Sequence, residues 1–170
     1  METFLVFKVS CVFLPAICYE KHTSPCTEMF LTFGFKSVTM DDIARKLGVS
    51  KKTLYTYYSN KEELVRACVF DFFNYVTEEI NRICQQSKNP IIELHDIKMF
   101  MMRHIKNEKI SPQYQLEKYY PEIFHELSDK QLHFMIGCVS KSLNSGVAMG
   151  LFRDNLNIPF IARLYFNGMM

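Results

Sequence analysis

The stretch from Thr39 to Tyr58 constrains this chain more than any other. It reads TMDDIARKLGVSKKTLYTYY, and its punctuation allows little besides two short helices and a sharp turn. Thr39 is a strong N-cap, and Asp41 and Asp42 follow in the first turn, where the helix dipole favours carboxylates. Ile43, Ala44 and Leu47 form one apolar face. Arg45 and Lys46 stand in the last turn, where cations are favoured, and Gly48 stops the helix as a residue free to take positive φ. Ser50 is a second N-cap. The next helix runs from Lys51 to about Tyr57 and turns Leu54 and Tyr58 inward. Ala44 is small where two helices must cross closely, and Val49 and Leu54 fill the angle between them.

Helix, glycine-containing turn, helix is the layout of a helix-turn-helix. The outward face of the second helix then carries Lys51, Lys52, Tyr55 and Thr56, with Thr53 and Tyr57 at its edges. Such groups suit a nucleic-acid groove. Ammonium and hydroxyl donors meet phosphates, lysine meets guanine edges, and a methyl or a ring meets thymine. The N-terminal N–H groups of the helix add an anion-binding end. Charge agrees with this. The chain is only +2 overall, but residues 36–66 hold seven cations against four carboxylates, and residues 67–170 are balanced. A local basic cluster points to a polyanion. The competing reading is an ordinary helical hairpin with a solvated basic face.

Six Gly and six Pro among 170 residues argue for long helices over a turn-rich β fold. The fold class is therefore all-α. Ser59 or Asn60 caps a third helix of the basic segment, spanning about 61–86. Leu64, Cys68, Phe72, Val76, Ile80 and Ile83 form its stripe. Pro90 ends that helix, and 91–110 reads as another. Pro112 opens a short one through Tyr119, and Pro121 opens one to about Asn144. Residues 145–157 read as a Gly-punctuated link, and Ile158 begins a last helix.

Residues 29–65, MFLTFGFKSVTMDDIARKLGVSKKTLYTYYSNKEELV, resemble the DNA-binding signature of the TetR/AcrR family of bacterial transcriptional regulators. The specific parts are Phe33-Gly34-Phe35, Val38-Thr39, Ile43-Ala44, Leu47-Gly48-Val49-Ser50, Thr53-Leu54-Tyr55, Tyr57-Tyr58 and Asn60 through Leu64. The resemblance implies an N-terminal three-helix DNA-binding domain at 26–66. A helical effector-binding and dimerisation domain would follow at 67–170. It implies DNA contacts at Thr39, Ser50, Lys51, Lys52, Thr53, Tyr55, Tyr57 and Lys61, with Lys61 meeting a phosphate. Leu54 and Tyr58 match core positions. The partners implied are double-stranded DNA with a near-palindromic operator, a small-molecule effector, and a second copy of the chain. The function implied is a cytoplasmic repressor released by its ligand. The alternative is a helical small-molecule-binding or interaction protein that has lost DNA binding.

In the second domain Met99, Phe100, Met102, Tyr114, Tyr119, Phe124, Phe134 and Met135 are candidates to line an effector pocket. Core packing is the competing reading for each, since aromatic and Met stripes usually fill cores. His95, His104, His125 and His133 are not clustered, and no metal or cofactor is expected. The six cysteines form no CxxC pair and read as scattered, buried, reduced thiols. No nucleophile–base set or phosphate-cradling loop argues for an enzyme.

Residues 1–25 form an atypical apolar leader, with Lys8 and Pro15 interrupting the run at 3–19. That run is short for a membrane helix, which needs ~20 apolar residues, so no membrane is expected. Three readings stay open for it: a covering element, a targeting segment, or sequence foreign to the folded unit. Thr23 or Ser24 caps a short first helix with Pro25 at its first position, and Met29, Phe30 and Phe33 pack on Ile43 and Leu47. Set against the family's layout, the first helix is shortened and the last lacks its partner. The expectation is a regulator altered or cut at both ends, with its dimer interface incomplete.

Overall fold

The computed structural model describes residues 24–105 and 112–167. The leader, residues 106–111 and the last three positions lie outside the described residues. Every regular element among the described residues is a helix, so the all-α reading holds. In chain order they are α1 (Pro25–Phe33), α2 (Met40–Leu47), α3 (Lys51–Tyr57), α4 (Lys61–Gln86), α5 (Pro90–Ile105), α6 (Pro112–Tyr119), α7 (Pro121–Ala148) and α8 (Ile158–Asn167).

Two compact units form. The first comprises the described residues through Phe72 together with α6 and the start of α7 through Ile123. The second comprises the described residues from Phe73 through α5, and the chain from Phe124 onward. The division inside α4 falls after Phe72 rather than after residue 66, and α6 joins the N-terminal unit.

In the first unit the caps follow local chemistry. Ser24 accepts from the Thr27 amide at 3.2 Å, with Pro25 at the helix start. Phe30 is 1% exposed and stacks on Phe35 at 5.3 Å between centroids; Phe35 meets Tyr120 edge-on at 6.3 Å. Phe33 departs from the sequence reading, for it is 58% exposed. The inward face of α1 is Cys26, Thr27 and Phe30. The chain then turns at Gly34 and sends Phe35 back into the core, where it stacks on Phe30. Gly34 holds φ 85° and ψ 152°, a region open essentially to glycine. A Cβ there would also run into the Gln115 amide of α6.

Asn60 caps α4, accepting from the Glu63 amide at 2.8 Å, while Glu63 accepts from the Ser59 amide at 2.7 Å. In the second unit Ile80, Ile97, Met135, Val139, Leu143 and Ala162 form a buried core from α4, α5, α7 and α8. Pro90 opens α5 rather than ending α4; α4 stops at Gln86 and Asn89 caps the Ile91 amide at 2.9 Å. α7 runs four residues past Asn144, through Ala148. Gly146 sits inside it, and the Phe152 ring lies where a Cβ would be, which accounts for glycine at this position. Gly150, at φ 70°, follows the helix end. No described helix is long and apolar enough to cross a membrane.

Candidate nucleic-acid interface

The turn that aims α3 is built from Gly48 and Ser50. Gly48 is left-handed, at φ 68° and ψ 24°, and its amide donates to the Ala44 and Arg45 carbonyls. The Val49 amide donates to Ala44 O at 3.0 Å, and Ser50 Oγ accepts from the Thr53 amide at 3.0 Å. α3 then buries Leu54, 1% exposed, and Tyr58 follows it into the core. Lys51, Lys52, Thr53, Tyr55, Thr56 and Tyr57 are all exposed. A single turn thus separates anchoring residues from presented ones.

Thr39, Ser50, Lys51, Lys52, Thr53, Tyr55 and Tyr57 all lie on this α2–α3 head and are exposed; Lys61 opens α4 and is half-buried. Their engagements differ. Lys51 Nζ donates to Asp41 Oδ2 at 2.8 Å, and that hydrogen bond raises its pKa above the ordinary lysine value. Asp41 is a residue the sequence reading left out of the site. It stands ten positions from Lys51, and no helical spacing connects the two. Lys52 has no ion pair among the described residues. Lys61 Nζ donates to the Phe35 carbonyl at 2.5 Å and the Lys36 carbonyl at 3.3 Å, and burial pushes its pKa down. It therefore ties α4 to the turn after α1 as well as presenting a cation. Ser50 Oγ lies 2.7 Å from Thr53 Oγ1 while serving as cap.

Thr39 and Asp42 form a reciprocal capping box. Thr39 Oγ1 donates to Asp42 Oδ2 at 2.6 Å, the Thr39 amide donates to the same oxygen at 3.0 Å, and the Asp42 amide donates to Thr39 Oγ1 at 3.2 Å. These bonds hold the Asp42 carboxyl below its ordinary 3.8, with Arg45 adding a smaller pull. Because the folded value is the lower one, its stabilising effect is present above the unfolded pKa. It fades as pH falls through the folded pKa. In an NMR titration the Asp42 carboxyl carbon is expected to move at lower pH than a model aspartate. Thr39→Ala should bring it back toward 3.8; an unmoved titration would refute the capping account.

Residues 27–68 match the family model described as "Bacterial regulatory proteins, tetR family". The chain carries a TetR-family helix-turn-helix domain. Over 71 residues it is 35% identical to the uncharacterized HTH-type transcriptional regulator YhgD of Bacillus subtilis, covering 41% of this chain and 35% of that one. Over 54 residues it is 37% identical to IcaR of Staphylococcus epidermidis, the biofilm operon icaADBC HTH-type negative transcriptional regulator, covering 32% and 29%. It is 25% identical over 143 residues to the HTH-type transcriptional repressor KstR2 of Mycolicibacterium smegmatis, covering 79% and 67%. The first two matches thus span about a third of those regulators. A TetR/AcrR-family structure from Thermobifida fusca superposes with a TM-score of 0.66 at 21% identity, over 85% of this chain and 77% of that one. That likeness is one of fold, and it extends well beyond the TetR-family domain.

The effector candidates divide between the two units. Tyr114 and Tyr119 lie on α6, in the same unit as the TetR-family head, and are exposed. The Lys118 ammonium sits over both rings, at 5.6 Å from each centroid, and Lys36 sits over Tyr119 at 5.4 Å. Met99, Phe100, Met102, Phe124, Phe134 and Met135 belong to the second unit. There Met135 is core, Phe100 and Phe134 pack on that core, and Phe134 meets Phe73 edge-on. Met99 is exposed, and Met102 and Phe124 are half-buried. His95, His125 and His133 are exposed and apart, and the His104 side chain lies outside the described residues. Among the described residues no group of three or more His, Cys, Asp or Glu gathers around a metal-sized space. Cys26 and Cys68 are buried, as read from the sequence; Cys84 and Cys138 are half-buried and adjacent, which sequence spacing did not reveal; Cys11 and Cys18 lie outside the described residues.

Proposed function

We propose that the chain is a sequence-specific DNA-binding transcriptional regulator, a repressor that a small ligand releases from its operator. The division of α3 carries this reading. Leu54 and Tyr58 anchor the helix while Lys51, Lys52, Thr53, Tyr55 and Tyr57 are presented together. A helix held from beneath, with cationic, hydroxyl and phenolic groups outside, suits the major groove. Thr39, Ser50 and Lys61 flank it as backbone contacts. The repressor direction is supported by the printed names of IcaR and KstR2. The second unit receives the effector, and self-association uses α8, whose Phe160 and Leu164 are more than 60% exposed. Such a dimer sets two recognition helices ~34 Å apart on a near-palindromic site. The protein acts in the cytoplasm and catalyses no reaction.

Lys52 is the leading base reader, because it needs to surrender no ion pair. A gel shift with promoter DNA from the chain's own locus tests the proposal. Lys52→Ala is expected to weaken operator binding roughly 5- to 150-fold, the equivalent of ~1–3 kcal/mol for a good base contact. Affinity should also fall steeply with salt, by about 0.9 logarithmic units of slope per phosphate neutralised. Binding no tighter than to random DNA would sink this function and return the alternative of a helical ligand-binding or interaction protein.

A further inference from the structure

The second unit holds a polar cluster that DNA binding leaves unused. Cys84 of α4 and Cys138 of α7 stand 54 positions apart in the chain, yet their sulfurs lie 3.3 Å from each other. Both are free thiols and half-buried. Glu93 of α5 lies close enough to the pair for its carboxylate to raise the Cys84 pKa. It accepts from the Ser142 hydroxyl, itself 2% exposed. Tyr165 of α8 packs against the same core as the two cysteines, its hydroxyl donating to the Leu94 carbonyl at 2.5 Å.

Burial is the largest influence on both thiols and pushes both pKa values up. Either sulfur can be the donor in the contact between them. The thiolate is the nucleophile in cysteine oxidation, and whichever thiol ionises has the other beside it as its resolving partner. A disulfide needs the sulfurs about 1 Å closer than they stand, a distance on the scale of a side-chain rotation.

We propose that Cys84 and Cys138 form a redox site that hydrogen peroxide converts into an intramolecular disulfide. The thiolate of one cysteine attacks one peroxide oxygen; the O–O bond breaks, and the departing hydroxide takes a proton to become water. That cysteine is left as the sulfenic acid. The sulfur of the other cysteine then attacks the sulfenic sulfur. The S–O bond breaks, the S–S bond forms, and the hydroxyl leaves as a second water carrying the attacking thiol's proton, with Glu93 placed to relay it. The two thiols lose two electrons and peroxide gains them. A small dithiol reductant reverses the change by thiol–disulfide exchange. The site stands independently of the DNA-binding reading.

The test uses the reduced, desalted full-length protein exposed to graded hydrogen peroxide. Free thiols are alkylated under denaturing conditions, and the chain is digested without reduction and analysed by mass spectrometry. The expected product is a peptide pair joined through Cys84 and Cys138, lighter by two hydrogens and restored by dithiothreitol, forming before any link to another cysteine. In Cys84→Ser and in Cys138→Ser the remaining thiol has no resolving partner, so its sulfenic acid should accumulate and be trapped by dimedone, more than in the unaltered protein. Persistence of both thiols at doses that oxidise the other cysteines would overturn the proposal. So would a link that forms only in denaturant, or one that joins Cys138 to a different cysteine. The wild-type mapping stands even if a variant fails to fold.

Discussion

Phe30→Ala is expected to destabilise the helix-turn-helix unit by about 3–5 kcal/mol, the usual cost of truncating a buried aromatic. Phe30 is 1% exposed and stacked on Phe35, which itself reaches Tyr120 between α6 and α7. Aromatic pairs of this kind add roughly 0.5–1.5 kcal/mol beyond the area they bury. α1 has only nine residues. Helices below ~12–15 residues are marginal without tertiary packing, and Phe30 is the largest side chain on the buried face of α1, beside Cys26 and Thr27. Against a typical total of ~5–15 kcal/mol, the loss is a large share. Urea unfolding followed by far-UV circular dichroism measures it, with Phe33→Ala as the internal contrast. Phe33 is 58% exposed, and its truncation should stay within about 0.5 kcal/mol. Equal effects at the two positions would mean that α1 is rotated from the orientation seen here.

That contrast also marks where the sequence stopped being informative. Caps and stops were legible because their physics is local. Thr39, Gly48 and Ser50 each act within four residues, and all three take their expected roles. The outward face of α3 was legible for the same reason, since period and length fix which residues share the Leu54 side. The exposure of Phe33 was not legible, because the face of α1 turned inward is Cys26, Thr27 and Phe30, and tertiary packing sets which face that is. Gly146 looked like loop punctuation. It lies inside α7, where the Phe152 ring fills the space a Cβ would need, and only the tertiary packing reveals that. The same limit hid the Lys51–Asp41 pair and the meeting of Cys84 with Cys138. It also hid the docking of Gln115 at the α1–α2 turn, where it accepts from the Lys36 amide at 3.5 Å. Each joins residues that no periodicity relates.

Adjacent positions on α3 should separate folding from recognition. Leu54→Ala is expected to cost about 2–5 kcal/mol of stability, because the side chain is 1% exposed and fills the angle between α2 and α3. A helix of seven residues has almost no stability of its own, so the cavity would loosen the whole recognition turn. Tyr55→Ala, one residue on, removes a ring that is 43% exposed. Its stability cost should stay near 0.5 kcal/mol, the usual range for an exposed site. Its DNA affinity should nevertheless fall, since the phenol stands on the presented face between Lys52 and Thr56. Thermal unfolding and gel shifts on the same preparations give the two numbers for each variant. The expected pattern is a crossed one: Leu54→Ala unstable, with DNA binding recovered as temperature drops; Tyr55→Ala stable, with weak binding at every temperature. If both variants lost stability and affinity in proportion, α3 would be a packing helix with a solvated face. The groove-reading role assigned to its outer residues would then fail.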